Sequence, residues 1–119
     1  MAARRFEELI AWQKARALAG SVYRQSMEEP LSRDFGLRDQ IRRAAVSVMA
    51  NIAEGFDREG TAEFSRFLTI AKASCAELKS HFYIALDVGY LSDEQFQQLF
   101  AQTEEVNRLI VGIRRSLST

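Results

Sequence analysis

The sequence predicts an all-α protein: a single domain over residues 1–119, folded as an antiparallel up-down four-helix bundle that assembles as a homo-oligomer. Helix breakers are rare, with one proline and six glycines in 119 residues, and the breaks divide the chain into four segments. Within each segment apolar residues recur at steps of three and four, which is the spacing of one helix face. Helices joined by short connections run antiparallel to their neighbours, as in an up-down bundle.

The first helix is predicted from about Phe6 to Met27. It ends before Pro30, because a proline disfavours the helical conformation in the residue that precedes it. The residues that recur at helical spacing in this segment are Phe6, Leu9, Ile10, Gln13, Ala17 and Tyr23.

The second helix is predicted from about Asp34 to Glu54. It should end near Gly55, with the stretch "FDREG" forming the turn. At 100° per residue one face of this helix is continuously apolar and is expected to pack into the bundle. That face consists of Leu37, Ile41, Ala45, Val48, Ile52 and Phe56.

The third helix should begin at Thr61, a plausible N-cap, and should end at the break around Gly89. Ser92 and Gln95 have the spacing of a capping box, so the fourth helix is predicted from Ser92 to the end of the chain. The core stripe of the third helix is Phe64, Phe67, Leu68, Ala71, Cys75, Leu78, Phe82 and Ala85. The core stripe of the fourth is Phe96, Leu99, Phe100, Thr103, Val106, Ile110, Ile113 and Leu117.

The second helix has an additional apolar face, roughly 120° from its core face. Its members, which we predict to be an oligomer interface, are Val46, Met49, Ala50 and Ala53. The third helix has a weaker counterpart in Ile70, Ala73, Ile84 and Val88. Small residues permit close helix approach, so the pattern favours self-association. The alternative is a monomer that exposes some isolated apolar residues, as soluble proteins do.

Polar residues lie between these two apolar faces and should form a structural network rather than a catalytic site. The predicted members are Arg43, Ser47, Asn51, Glu54, Ser74 and Glu77, with Arg58 and His81 at their edge. A buried amide or carboxylate needs a partner, since an unsatisfied one costs roughly 1–3 kcal/mol. We expect these groups to satisfy one another between helices or to cap the turn after Glu54, with Arg43 and Arg58 as partners for Glu54 and Glu77.

The residues do not favour an enzyme or a metal protein. His81 is the single histidine and lies four residues from Glu77, whereas carboxylate-bridged dimetal bundles use Glu-x-x-His pairs on two helices. Cys75 falls on the core stripe, where a thiol is usually inert. We therefore expect no catalytic residue, cofactor, metal or small-molecule substrate. A hydrolase built from Glu54, Glu77 and His81 is the competing hypothesis.

The charge pattern gives no strong indication of a polyanionic partner, because sixteen basic residues balance sixteen acidic ones. Arginine nonetheless suits phosphate contact, and the candidates for nucleic-acid contact are Arg38, Arg42, Arg43, Arg58 and Arg66. Nearby acids make ion pairing an equal explanation. Aromatic residues do not interleave with these arginines in the sequence, so no stacking platform for single strands is predicted. Further arginines stand at both ends of the chain, at Arg4, Arg5, Arg114 and Arg115.

No segment has the apolar length of a signal peptide or a membrane span, so a cytoplasmic protein without a membrane partner is predicted.

Three stretches carry a resemblance to a known family: "FEELIAWQKARALA", "FGLRDQIRRAAVSVMANIAEG" and "EFSRFLTIAKASCAELKSHFYIALDVGYLS". They resemble the small four-helix-bundle proteins encoded in intervening sequences of bacterial large-subunit ribosomal RNA genes. This family includes the accessory variability protein of diversity-generating retroelements. The motif in the second helix is Gln-Ile-Arg-Arg-Ala, a serine, then Asn-Ile-Ala-Glu-Gly, and residues 40–55 match it. Ser74, Glu77 and Leu78 match Ser-x-x-Glu-Leu in the third.

The resemblance implies a homopentamer around a central channel and no enzyme activity. In the retroelement branch it implies binding of a reverse transcriptase and of nucleic acid through a strongly basic surface, from which this sequence departs with its net charge of zero. The expected function is a non-catalytic scaffold for RNA or a ribonucleoprotein partner. The alternative is a protein–protein interaction module with no nucleic-acid binding.

Overall fold

In the computed structural model, which describes residues 2–118, the chain forms four α-helices and no strand within that range. They are α1 (Ile10–Ser26), α2 (Phe35–Asp57), α3 (Thr61–Asp87) and α4 (Asp93–Leu117), with 3-10 turns at Phe6–Glu8 and Leu31–Arg33. Successive helices are antiparallel, and each packs against two neighbours in the order α1, α2, α3, α4 and back to α1. The all-α bundle prediction is confirmed. The ends of the predicted domain, Met1 and Thr119, lie outside the described residues.

The first helix is shorter than predicted, and its buried face is a different one. Leu9 has an extended backbone and separates the 3-10 turn from α1. Gln13, Ala17 and Tyr23 are exposed, so their spacing indicated a helix but not its core side. The buried residues are Ala11, Ala15, Leu18, Ala19, Val22 and Ser26. Alanines form half of this face, and such small side chains let α1 approach its neighbours closely.

The second helix begins as predicted but runs past Glu54 to Asp57. The Asp34 carboxylate caps it by accepting a hydrogen bond of 3.1 Å from the Leu37 N–H. Gly55 therefore lies inside the helix, and the prediction that it marks the helix end is wrong. It is buried, and a Cβ there would lie 2.6 Å from Cβ of Phe67 on α3. Gly55 is thus a site of close backbone approach between two helices.

The turn between α2 and α3 depends on Gly60, which has a φ of 91° that favours glycine. Gly60 is the N-cap residue of α3. The N-cap prediction for Thr61 is wrong, because Thr61 is already the first helical residue and the cap makes no side-chain hydrogen bond.

The turn between α3 and α4 follows the sequence signals. Gly89 has a φ of 83°, the Tyr90 N–H donates to the Ala85 carbonyl at 2.8 Å, and the Gly89 N–H donates to that of Leu86 at 3.1 Å. This is the Schellman pattern of helix termination. The capping box at the start of α4 is confirmed: Ser92 Oγ accepts from the Gln95 N–H, and Gln95 Oε1 accepts from the Ser92 N–H.

The core lies between the four helices and is formed mainly by the predicted stripes. Ile41, Ala45, Val48 and Ile52 are buried on α2, while Leu37 and Phe56 are half-buried at its ends. On α3 and α4 the predicted residues are buried except Phe64, Phe100, Ile113 and Leu117, which are half-buried. No helix in residues 2–118 has the length and apolarity that crossing a bilayer requires.

Candidate functional site

The most conspicuous surface is apolar and runs along the outer sides of α2 and α3. We call it the outer α2–α3 face and define it by Val46, Met49, Ala50, Ala53, Ile70, Ala73, Ile84 and Val88. Its large side chains are well exposed: Val46 by 41%, Ile70 by 38%, Ile84 by 48% and Val88 by 56%. Ala50 and Ala73 are also exposed, whereas Met49 and Ala53 are half-buried.

A hydrogen bond between two serines brings the two parts of this face together. The Ser47 and Ser74 hydroxyl oxygens lie 2.8 Å apart across the α2–α3 contact, and Val46 and Ala73 each precede one of these serines. The α2 and α3 residues are therefore neighbours at mid-helix. From there the α3 part continues by roughly 15 Å to Ile84, at 1.5 Å per residue.

Three of the predicted network residues form a connected group at this contact. The Asn51 side-chain amide donates to the Ser47 carbonyl at 2.8 Å and to Ser47 Oγ at 3.0 Å. Ser47 Oγ thus has two partners, the Asn51 amide on its own helix and the Ser74 hydroxyl on α3. Ser74 is buried, with only 6% exposure. The group fixes the register of α2 against α3 directly beneath the outer face.

The remaining network residues do not join that group. Glu54 is exposed and accepts from Arg58 Nη2 at 3.2 Å along the same helix, and Glu77 lies 3.3 Å from His81 Nε2. Arg43 is exposed and makes no ion pair or hydrogen bond within residues 2–118. Glu54 is thus exposed rather than buried, and it pairs with Arg58, one of the two partners expected for it. The prediction of Arg43 as a partner for Glu54 or Glu77 is wrong in the single chain.

We expect Ser74→Ala to lower the free energy of unfolding by about 1 kcal/mol, because it removes one partner of a partly buried hydrogen bond. Chemical denaturation of Ser47→Ala, Ser74→Ala and the double variant should give a coupling energy of about 0.5–1.5 kcal/mol. Ser80→Ala, at an exposed position on the same helix, is the matched control and should change stability by less than about 0.5 kcal/mol. Additive effects of the two serine variants would contradict the bond.

The candidate nucleic-acid arginines fall into two separate groups. Arg38, Arg42 and Arg43 lie in the first half of α2, whereas Arg58 and Arg66 flank the turn to α3. At 1.5 Å per residue, Arg38 and Arg58 are roughly 30 Å apart. The five side chains therefore do not form one patch on a single subunit.

Most of these arginines already have partners in the chain. Arg42 Nε donates to Ser26 Oγ at 2.8 Å, which ties α2 to the end of α1. Arg38 Nε pairs with Asp39 at 3.0 Å. Arg66 donates to both oxygens of Glu63, and these hydrogen bonds lower the pKa of the Glu63 carboxyl. Only Arg43 among the five is left unpaired within the described range.

Aromatic rings do accompany the candidate arginines, contrary to the impression given by the sequence. Guanidinium carbons lie over ring centres at 4.7 Å for Arg38 on Phe35 and 4.6 Å for Arg42 on Tyr23. Two guanidinium groups lie over the Phe67 ring, that of Arg58 at 4.9 Å and that of Arg66 at 4.6 Å. The tertiary structure and local helix spacing create these pairs. They occupy ring faces that base stacking would need, so a stacking platform does not result.

The groups considered for catalysis lie apart. Cys75 is fully buried, and burial raises the pKa of its thiol to about 11 although Lys79 and Lys72 oppose the shift. At neutral pH the thiolate that would act as a nucleophile is scarcely populated. Glu54 pairs with Arg58 and not with the Glu77–His81 pair. Within residues 2–118, no three His, Cys, Asp or Glu side chains converge as metal ligands.

The sequence reasoning missed several tertiary partners. Ser26 Oγ accepts a hydrogen bond from Arg42 Nε. The Tyr90 hydroxyl donates to Asp34 Oδ2 at 3.0 Å, so the carboxylate that caps α2 also anchors the α3–α4 turn. No local pattern marks such long-range pairs. The sequence signal that could have found these partners is a polar side chain at a helix end, on the side that faces the next helix. Ser26 and Asp34 both have this feature.

Comparisons with known proteins agree on one family and one fold. A family model described as 23S rRNA-intervening sequence protein matches residues 7–112. No curated protein matches the chain. Among solved structures, the chain is similar to a protein with unknown function from the S23 ribosomal protein family of Bacteroides thetaiotaomicron. The two share 24% identity at a TM-score of 0.81, covering 88% of this chain and 98% of the other, which establishes the common fold.

Proposed function

The chain belongs to the 23S rRNA-intervening sequence protein family, and on this premise we propose that it is a non-catalytic scaffold that assembles as a homopentamer. The subunits associate through the outer α2–α3 face. The assembly presents its remaining surface to RNA or to a ribonucleoprotein partner.

The observation that carries the proposal is the exposure of the outer α2–α3 face. Val46, Ile70, Ile84 and Val88 are all more than a third exposed, and the alanines beside them add further apolar area. Each square ångström of apolar surface removed from water contributes about 25 cal/mol, and soluble monomers rarely leave extended apolar strips uncovered. A second copy of the chain is the partner that we propose covers this face, because other copies are present whenever the protein is.

A ring of five also requires a second surface. Closed rings with an odd number of subunits use heterologous contacts, in which one patch meets a different patch on the next copy. Other large apolar side chains are exposed outside the outer α2–α3 face and are candidates for that second patch: Ile10, Tyr23, Met27, Phe35 and Tyr83. Support for the number five comes from the family resemblance.

Sedimentation equilibrium at micromolar concentration tests the assembly. We expect one species of about five times the 13.5 kDa chain mass. A single species at the chain mass would overturn the scaffold, and a stable dimer would overturn the pentamer.

A second candidate function is a protein-interaction module that binds no nucleic acid. It is favoured by the pairing of four candidate arginines inside the chain, through Asp39, Ser26, Glu54 and Glu63. Arginines used for internal contacts have fewer donors left for phosphates. The net charge of zero points the same way.

Electrophoretic shift of structured RNA across a salt series separates the two functions. If α2 contacts phosphates, RNA binding should weaken steeply as the salt concentration rises. The double variant Arg42→Gln with Arg43→Gln should then reduce the slope of log K against log salt by roughly one per lost contact. Arg16→Gln with Arg24→Gln removes the same charge from α1 and is the control. If the RNA is not shifted even at low salt, the RNA-binding function is overturned and the protein-interaction module is the remaining candidate.

A further inference from the structure

A cavity lies between the start of α3 and the end of α4, and none of the functions above uses it. It measures about 270 Å³ and is lined by Ser65 on α3 and by Val111, Arg114, Arg115 and Ser118 at the end of α4. The ion pair of Lys79 with Glu104, at 2.7 Å, sets the register of the two helices. About four turns along from that pair on each helix, Ser65 and Ser118 come together at the cavity.

The two arginines in this cavity have no internal partner. Neither the Arg114 nor the Arg115 side chain forms an ion pair or hydrogen bond within residues 2–118. At the same end of the bundle, the carboxylates of Glu54 and Glu63 are already paired with Arg58 and Arg66. Among the described residues, the lining of the cavity includes two arginines and no carboxylate.

Arg114 also has a buried donor that nothing satisfies. Its Nε is covered by protein and has no acceptor among the described residues, and leaving a buried donor unpaired is costly. Basic residues in a last helical turn do interact favourably with the helix dipole. That explains the sequence position of these arginines, but not the serine that α3 places opposite them. Because Nε is covered by protein, a ligand in the cavity has access only to other atoms of the Arg114 side chain.

The surroundings contribute charge of both signs. The end of α4 is the negative end of its helix dipole and Glu63 lies in the first turn of α3, but donors and cations without partners are also present. The first turn of α3 has no side-chain cap, so its free N–H groups contribute a partial positive charge about one turn from Ser65. Lys72 and Arg108 are exposed further along the same α3–α4 groove and form no ion pair within residues 2–118. The Ser118 hydroxyl already donates to the Arg115 carbonyl at 2.9 Å, which leaves Ser65 as the available hydroxyl donor.

We propose that this cavity binds a phosphate group, held by the guanidinium groups of Arg114 and Arg115 and by the Ser65 hydroxyl. Planar guanidinium forks match the paired oxygens of a phosphate, and two of them with a hydroxyl provide donors for a tetrahedral oxyanion. Val111 forms the apolar wall. The group comes either from free phosphate and its monoesters or from an RNA backbone. The site is formed within one chain and does not depend on assembly.

Titration with inorganic phosphate at constant ionic strength, followed by NMR of arginine Nε–H signals, tests the site. We expect a saturable shift of the Arg114 signal. Arg115→Gln should weaken binding about tenfold or more, as loss of a charge-assisted hydrogen bond predicts, and Ser65→Ala about fivefold. Arg16→Gln, which removes one positive charge from exposed α1, should leave binding unchanged.

Two further ligands distinguish the sources of the phosphate. If a short RNA without terminal phosphates displaces inorganic phosphate from Arg114, the ligand is a backbone phosphate. If only phosphate and phenyl phosphate compete, the ligand is a free phosphate or monoester. A shift that never saturates, or equal weakening by Arg115→Gln and Arg16→Gln, would overturn the site. Arg114→Lys keeps the charge but lacks the planar guanidinium fork and should also weaken phosphate binding; unchanged binding in this variant would overturn the role of Arg114.

Discussion

Replacing Gly55 with alanine should destabilise the protein, even though alanine is the better helix former. Its Cβ would lie 2.6 Å from Phe67 Cβ and 3.2 Å from Phe64 Cδ1, and a Cβ belongs to the backbone frame and moves only with its helix. Alanine gains about 1 kcal/mol in helix propensity, whereas overpacking costs about 1–3 kcal/mol. We expect a net loss of about 1–2 kcal/mol in the free energy of unfolding, and a larger loss for Gly55→Val.

Gly112→Ala is the matched control for this prediction. Gly112 also lies inside a long helix, but a Cβ there would meet nothing within 4 Å. Propensity alone should then stabilise the protein by about 0.5–1 kcal/mol. Urea denaturation of the three variants measures the differences. If Gly55→Ala and Gly112→Ala stabilised the protein equally, the close approach of α2 and α3 at Gly55 would be refuted.

Two glutamates on the outer α2–α3 face should dissociate the proposed assembly. Val46→Glu with Ala50→Glu places two carboxylates where the interface would exclude water, and an unpaired buried charge is strongly unfavourable. We expect association to weaken at least 100-fold, which corresponds to about 2.7 kcal/mol. Sedimentation velocity should then show the monomer at concentrations at which the unmodified protein is a single larger species.

The subunit itself should tolerate these changes. Val46 and Ala50 are exposed in the single chain, so helix content and packing should change little, apart from about 0.2–0.5 kcal/mol of repulsion between glutamates four residues apart. Ala101→Glu, at an exposed alanine on α4, controls for added charge and should leave the assembly intact. An unchanged assembly in the double variant would show that the interface lies elsewhere.

The parts of the fold that the sequence predicted are those governed by neighbouring residues. Ser92 and Gln95 satisfy each other's backbone groups within one turn, and Gly89 adopts a positive φ that few other residues tolerate. The core stripes of α3 and α4 were predicted because large apolar residues repeat there at helical spacing. The stripe of α1 was not, since half of its buried residues are alanines, which give a weaker apolar pattern.

Gly55 and Thr61 show where local patterns failed. A glycine after a helical stretch is normally read as a terminator, but Gly55 is needed because Phe67 lies directly opposite it on α3. Thr61 has the right residue type for a cap, yet Gly60 takes that position by its positive φ. For Gly55 the deciding neighbour lies on another helix, whereas for Thr61 it is the adjacent glycine, whose conformation the residue-type pattern did not weigh.

For the candidate site, the sequence by itself determined the all-helical fold, the second apolar face of α2 and the proximity of Ser47 to Asn51, because each depends on the repeat of a single helix. Packing of one helix on another was needed to show that Ser74 completes this group, that Arg42 is held by Ser26, and that Arg114 and Arg115 meet Ser65 around a cavity. Helix periodicity specifies which side a residue occupies. The register and spacing of one helix against another depend on how their side chains interlock, and that is a property of the packed pair.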